Sequence, residues 1–106
     1  MKIRNVKGSS KISPKAPSGY TSWRNYWESI FGQTLEAGKK YQCPACKEWY
    51  TRDHFDGCHV QKVGSTDKKW YIIPLCDSCN HTKDEPDVDA DLLIDVPSNL
   101  TITYSE

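Results

Sequence analysis

The stretch that decides the fold runs from residue 43 to residue 79 and reads CPACKEWYTRDHFDGCHVQKVGSTDKKWYIIPLCDSC. It begins with Cys43-Pro-Ala-Cys46 and ends with Cys76-Asp-Ser-Cys79, and 29 residues separate the two pairs. Two residues between cysteines allow a tight turn to direct both sulfurs at one ion, and two such pairs complete a closed tetrahedral zinc site. The spacing therefore predicts one structural zinc ion bound by all four cysteines. Iron in a tetrahedral sulfur site is the chemical alternative.

The residues between the pairs indicate a β-hairpin followed by a short helix. Residues 57–63 and 69–75 are β-compatible, and GSTD at 64–67 supplies the turn. Residues 76–85 suit a short helix, which Pro86 follows. A cysteine knuckle, a hairpin and a helix in this order form a treble-clef arrangement. We therefore predict a small α+β domain stabilised by zinc.

Two further elements flank this core. Residues 21–32, TSWRNYWESIFG, predict an amphipathic helix with Trp23, Trp27, Ile30 and Phe31 on one face. We expect its tryptophans to pack in the core; stacking on nucleic acid is the alternative. On the other side of the core, residues 92–96 and 100–104 predict a C-terminal β-hairpin.

The charge distribution separates the two ends of the chain. Residues 1–20 contain five basic residues and no acid, which predicts a flexible basic arm before a single domain at 21–106. Residues 84–106 contain seven acidic residues and no base. The basic arm could contact phosphate and the acidic end could bind a protein partner, but simple solvation of both ends is the favoured interpretation. The candidate nucleic-acid contacts are Lys2, Arg4, Lys7, Lys11 and Lys15, with Lys62, Lys68, Lys69 and Lys83 as additions.

The length and composition restrict the class of protein. A chain of 106 residues forms one small domain, for which a bound metal commonly supplements a modest core. Five cysteines without an apolar leader predict a reducing, cytoplasmic location, with metal ligands in preference to disulfides. No apolar stretch approaches the length of a membrane span, so no membrane partner is expected.

Residues 43–84 resemble the cysteine-bearing branch of the HNH endonuclease family. The resemblance depends on the two cysteine pairs, on GCHV at 57–60 and on PLCDSCNHTK at 74–83. It implies a ββα-metal core, similar to a treble clef, that cuts nucleic acid with one divalent cation. The motif is incomplete, because the asparagine that orients the histidine is missing and isoleucines occupy that strand.

The resemblance also implies roles for individual residues. His59 matches the general base that activates water. Cys58, Asn80 and Asp84 match positions that complete a second, catalytic metal site, although a cysteine is a soft ligand that does not suit magnesium. This site would be separate from the closed cysteine site, and a second divalent cation is expected only in an active nuclease.

Three functions follow as hypotheses. The first is an HNH-like protein that acts on nucleic acid, DNA in preference to RNA. In this hypothesis His59 is the general base for phosphodiester cleavage. The second is an inactive zinc module that binds nucleic acid. The third is a protein-interaction module that uses the acidic C-terminal region. Whether the chain is an enzyme stays open at this point.

Overall fold

The hairpin between the cysteine pairs is the centre of the fold in the computed structural model, which describes residues 1–6, 16–64, 66 and 69–96. The chain is a small α+β domain with two sheets, in the strand orders β1-β4-β5-β6 and β2-β3. The strands are β1 (Ile3–Asn5), β2 (Lys40–Gln42), β3 (Trp49–Thr51), β4 (Phe55–Lys62), β5 (Tyr71–Cys76) and β6 (Ile94–Asp95). The helices are α1 (Trp23–Phe31) and α2 (Asp77–Asn80), and Arg52–His54 and Ala90–Leu92 form single 3-10 turns.

Strands β4 and β5 confirm the predicted hairpin. They are antiparallel, and their register places Cys58 opposite Ile73 and His59 opposite Ile72. All six residues of β5 are buried. A strand buried on both faces needs a layer on each side, so the rest of the chain covers the sheet from two directions.

Two apolar clusters cover the two faces of the larger sheet. Side chains alternate between faces along a strand, so Ile72 packs in one cluster and its neighbours Tyr71 and Ile73 pack in the other. The metal-side cluster contains Ile3, Leu35, Cys43, Phe55, Cys58, Val60, Tyr71, Ile73, Leu75, Cys76 and Val88. The helix-side cluster contains Trp23, Trp27, Trp70, Ile72 and Val96.

Helix α1 confirms the element predicted for residues 21–32. Ser22 caps its first turn by accepting a hydrogen bond from the Asn25 backbone, and Gly32 ends it with φ at 86°. Trp23 and Trp27 are buried as predicted. In the part of the chain that the structure describes, no helix has both the length and the apolar character needed to cross a membrane.

One residue of the predicted apolar face lies elsewhere. Ile30 is 51% exposed, whereas Glu28 is buried. The Glu28 carboxylate accepts a hydrogen bond of 2.7 Å from the backbone of Leu35. Because the chain returns against this side of α1 after Gly32, a carboxylate with a backbone donor is buried in place of the isoleucine.

The flexible arm predicted for residues 1–20 is wrong for residues 1–6. Ile3–Asn5 forms β1 and pairs with β4, and Ile3 is 1% exposed. On the other side of β1, the Ile3 N–H donates to the Pro86 carbonyl and the Val88 N–H donates to the Met1 carbonyl. These hydrogen bonds between strands and the burial of Ile3 fix residues 1–6 in the sheet, although the composition of the segment alone predicts disorder.

The C-terminal region agrees in part with the predictions. Strand β6 pairs with β5, which places the first predicted strand at the edge of the sheet. The predicted partner strand at 100–104 lies outside the described residues. The helix predicted for residues 76–85 is shorter than expected, since α2 ends at Asn80.

Candidate metal centre and the surroundings of His59

Four cysteines from two separate parts of the chain meet at one point. The sulfur atoms of Cys43, Cys46, Cys76 and Cys79 all lie within 4.8 Å of one another. The Cys46 and Cys76 sulfurs are 3.8 Å apart. A tetrahedron with metal–sulfur bonds of about 2.3 Å has edges of about 3.8 Å. The four cysteines are therefore positioned to bind a metal ion.

The first pair lies on the turn between β2 and β3. The Cys43 N–H donates to the Glu48 carbonyl at 2.8 Å, and the Lys47 N–H donates to the Cys43 carbonyl at 3.0 Å. Lys47 has a positive φ of 67°, which closes this turn. The turn leaves Cys43 buried and Cys46 exposed.

The second pair lies where β5 ends and α2 begins. The Cys76 N–H points at the Cys43 sulfur at 3.5 Å, so the backbone contributes a donor to the metal centre. Behind this pair, the Asn5 side-chain amide donates to the carbonyls of Cys79 and Thr82, each at 3.0 Å. These carbonyls lie at the C-terminal end of α2 and just beyond it, and the Cys79 carbonyl also accepts from the Thr82 N–H at 3.3 Å. Strand β1 therefore supports the second cysteine pair directly.

His59 lies on the other face of the sheet, between two indole rings. Its ring centroid is 4.9 Å from Trp23 and 5.8 Å from Trp70, and both pairs meet edge to face. The residue is 7% exposed. Burial lowers the pKa of His59 to about 4, so the imidazole is neutral at pH 7.

Gly57 explains how α1 reaches His59. A Cβ atom on this glycine would lie 2.5 Å from the backbone of both Trp23 and Arg24. The first turn of α1 therefore rests directly on β4, two residues before His59. The Arg24 guanidinium fixes this contact by donating to the Arg52 carbonyl at 2.7 Å. The glycine of the GCHV motif thus permits close packing of a helix that lies outside the motif.

Cys58 and His59 do not face a common site, contrary to the catalytic site expected from the resemblance. They are adjacent in β4, so their side chains lie on opposite faces of the sheet. Cys58 is 2% exposed within the metal-side cluster, and burial raises the pKa of its thiol. Its sulfur lies 3.4 Å from the Asp56 carbonyl.

The other two residues of the expected catalytic metal site lie near the surface and make local contacts. The Asn80 amide is 3.4 Å from the Asp56 carboxylate, and the Asp84 N–H donates to the Thr82 hydroxyl at 3.1 Å. Among the described His, Cys, Asp and Glu side chains, only the four cysteines form a group that could hold a metal ion.

A cavity of about 150 Å³ lies between α1 and the β2–β3 hairpin. Aromatic, aliphatic and amide side chains line it, without a histidine, a cysteine or a carboxylate. This lining does not provide the general base or the hard metal ligands that phosphodiester hydrolysis needs.

The basic residues predicted to contact nucleic acid are only partly described. Lys2, which precedes β1, and Arg4, which lies within it, are both exposed. The Lys62 ammonium lies 4.7 Å above the Tyr71 ring, and Lys69 pairs with Asp95 at 3.7 Å. Lys83 is exposed. Lys7, Lys11, Lys15 and Lys68 lie outside the described residues.

Sequence reasoning missed the residues that enclose His59 and support the metal centre. The sequence places Trp70 in the return strand and Asn5 in the predicted flexible arm, and it indicates no role for either. Both contacts join residues far apart in the chain, so no local spacing indicates them. The separation of Cys58 from His59 could have been predicted for a regular strand, because consecutive residues of such a strand point to opposite faces.

Comparison with protein-family models, with curated proteins and with solved structures finds no match to this chain. The resemblance to HNH endonucleases therefore stays a prediction from the motif residues alone.

Proposed function

We propose that this chain is a structural zinc module with an HNH-like, treble-clef core, and that it binds nucleic acid without cleaving it. The observation that carries the proposal is the convergence of four cysteine sulfurs within 4.8 Å of one another. Four thiolates fill a tetrahedral zinc shell and leave no coordination position for water or substrate. Such an ion contributes to folding and does not catalyse a reaction.

Metal analysis of the purified protein tests the zinc site. We expect one zinc per chain in the wild type and in Cys58→Ser, because Cys58 lies outside the four-cysteine group. We expect Cys43→Ser to lose the ion, because this substitution replaces a buried thiolate ligand. Iron in the wild type would contradict the choice of zinc, and a second metal lost in Cys58→Ser would contradict the single structural site.

The environment of His59 supports an inactive module over an endonuclease. A general base must come within hydrogen-bond distance of the water that attacks the phosphate. Trp23 and Trp70 cover the His59 ring, and the residue is 7% exposed. The alternative, an HNH-type endonuclease with His59 as general base and a second divalent cation, is favoured by the GCHV motif alone.

A cleavage assay separates these two functions. Plasmid DNA and RNA are incubated with the zinc-loaded protein in magnesium, manganese or nickel. The proposal expects equal, background levels of product from the wild type and from His59→Ala. Metal-dependent cleavage that disappears in His59→Ala would contradict the proposal and favour the nuclease.

The nucleic-acid part of the proposal is supported by exposed basic residues near the N-terminus. Lys2 and Arg4 are exposed. The sequence has three further lysines at positions 7, 11 and 15, outside the described residues. Phosphate contacts make affinity decrease steeply as salt increases. We expect binding of DNA at about 50 mM salt that weakens at about 200 mM, and weaker binding by a Lys2→Ala, Arg4→Ala double variant. Affinity unchanged by salt would count against phosphate contacts.

A further inference from the structure

The β2–β3 hairpin displays a tryptophan on its outer side. Trp49 is 59% exposed, more than any other large hydrophobic residue in the described ranges. Its register partner is Gln42, and the next pair on the same face of the hairpin is Lys40 with Thr51. Register partners share a face, so these four side chains form one surface. Tyr41 and Tyr50 occupy the other face, where they pack against the metal-side cluster.

This hairpin is also rich in basic residues. We call residues 39–52 the knuckle ribbon. It contains four basic residues and one acidic residue, whereas the rest of the described chain contains six basic and eleven acidic residues. Lys39 pairs with Glu36 at 2.7 Å, while Lys40 and Lys47 are exposed on either side of the Gln42–Trp49 pair. Positive charge is therefore concentrated around the exposed indole.

We propose that the outer face of the knuckle ribbon binds single-stranded nucleic acid, with Trp49 stacking on a base and Lys40 and Lys47 contacting phosphates. An exposed indole between two exposed lysines matches the two requirements of such a site, a stacking platform and a positive track. In double-stranded nucleic acid the faces of the bases are stacked on one another, so Trp49 could not stack on them. Only the phosphates of a duplex would be available for contact with this surface. The ribbon therefore selects single strands.

A metal ion bound by the four cysteines would make this surface rigid. Cys43 and Cys46 lie on the turn of the ribbon, so a bound ion would fix the turn between the two strands that carry Gln42 and Trp49. An isolated two-stranded hairpin is only marginally stable in water. The rigidity of the ribbon depends on the proposed zinc site. The choice of single-stranded nucleic acid as the bound molecule depends instead on Trp49 and on the positive charges of the ribbon.

Fluorescence anisotropy with a labelled single-stranded DNA of about 16 nucleotides tests the inference. Zinc-loaded wild type is expected to bind at about 50 mM salt. Trp49→Ala is expected to bind about fivefold more weakly or worse, and Trp49→Phe to keep most of the affinity, because an aromatic ring remains for stacking. Lys40→Ala is expected to reduce the slope of log affinity against log salt by about 0.7.

The matched control is Ile30→Ala, which removes an exposed apolar side chain on α1, outside the ribbon. It is expected to bind as the wild type does. Metal content is measured for every variant, so failure of the zinc site is recognised separately from failure of binding. Three results would overturn the inference: no single-strand binding by the wild type at low salt, equal affinities of Trp49→Ala and wild type, or equal losses in Trp49→Ala and Ile30→Ala.

Two further comparisons, with a duplex and with the N-terminal double variant, identify what the protein binds and where it binds. Tighter binding of a duplex of the same sequence would overturn the selection of single strands. Full affinity in Trp49→Ala together with weak binding in the Lys2→Ala, Arg4→Ala double variant would place binding at the basic residues near the N-terminus. That result overturns the ribbon site and leaves the proposed nucleic-acid function standing.

Discussion

The burial of His59 couples its protonation to folding. Its pKa falls from the ordinary value of 6.5 to about 4 in the folded protein because burial disfavours the charged ring. Between these two values the unfolded chain binds a proton that the folded chain does not bind. The free energy of unfolding therefore decreases as the pH falls from 6.5 towards 4, by up to about 3 kcal/mol at 1.36 kcal/mol per pKa unit.

Replacing His59 with phenylalanine is expected to remove this pH dependence. His59→Phe keeps an aromatic ring between Trp23 and Trp70 but cannot take up a proton. Urea unfolding of wild type and variant between pH 7.5 and 5.5 measures the two slopes. Acid also protonates cysteine thiolates, equally in the two proteins, so the difference between the slopes isolates His59. Parallel slopes would contradict a depressed pKa.

Gly57 is expected to tolerate no side chain. Gly57→Ala places a methyl group 2.5 Å from the backbone of Trp23 and Arg24, so α1 must move away from β4. We expect a loss of about 1–3 kcal/mol in unfolding free energy, measured by urea titration, and a shift in tryptophan emission. Gly32→Ala provides the comparison, because a Cβ there meets nothing within 4 Å and only the positive φ is strained. A larger loss in Gly32→Ala would show that close packing at Gly57 is not the dominant constraint.

The candidate metal residues could be predicted because the chemistry of a tetrahedral ion determines their local spacing. Each Cys-x-x-Cys pair forms within a few residues, so the sequence pattern and the observed geometry agree. The surroundings of His59 could not be predicted in the same way. The two indoles that enclose it come from Trp23 and Trp70, on separate elements, and only tertiary packing brings them together.

At the scale of elements, β1 contributes to the metal centre as well as to the sheet. Asn5→Ala removes two hydrogen bonds of 3.0 Å to the Cys79 and Thr82 carbonyls. We expect a loss of about 1–2 kcal/mol in unfolding free energy, together with faster zinc transfer to a chelator dye. Arg4→Ala, in the same strand but with an exposed side chain, is expected to change neither quantity appreciably. Equal transfer rates in Asn5→Ala and wild type would remove Asn5 from the support of the site.

Strong local signals predicted the elements α1, β4 and β5. Ser22 and Gly32 bracket the helix, and the long β-compatible runs on both sides of the turn produce the hairpin. Strand β1 lacked such a signal, since Ile3 is its only buried residue and lysines surround it. Its stability comes from β4 and residues 86–88, which are distant in sequence. Long-range pairing of a three-residue strand leaves no periodicity to detect.

At the scale of the whole molecule, metal removal is expected to unfold the domain. Cys43 and Cys76 belong to the larger apolar cluster, so thiolates without an ion would lie inside the core. Structural zinc contributes roughly 10–16 kcal/mol, comparable to the entire stability of a small domain. A chelator should therefore abolish the tertiary structure, measured by near-ultraviolet circular dichroism, and zinc should restore it while magnesium should not.

The tryptophans report how far this unfolding extends. Trp23, Trp27 and Trp70 lie in the helix-side cluster, across the sheet from the cysteines. A red shift of their emission that follows metal loss would show that both clusters unfold together. Native emission in the metal-free protein would show instead that α1 and the sheet are stable without the ion.

The position of β1 also determines when the sheet can be completed during biosynthesis. The strand is the first of the sheet to leave the ribosome, yet its hydrogen-bond partners lie in β4 and at residues 86–88. Until residue 88 has been added to the growing chain, β1 has at most one of its two neighbours. The outer edge of β1, which later pairs with residues 86–88, is open to other nascent chains during that interval. Slow translation between β4 and residue 88 should therefore favour aggregation, although it leaves the finished protein unchanged.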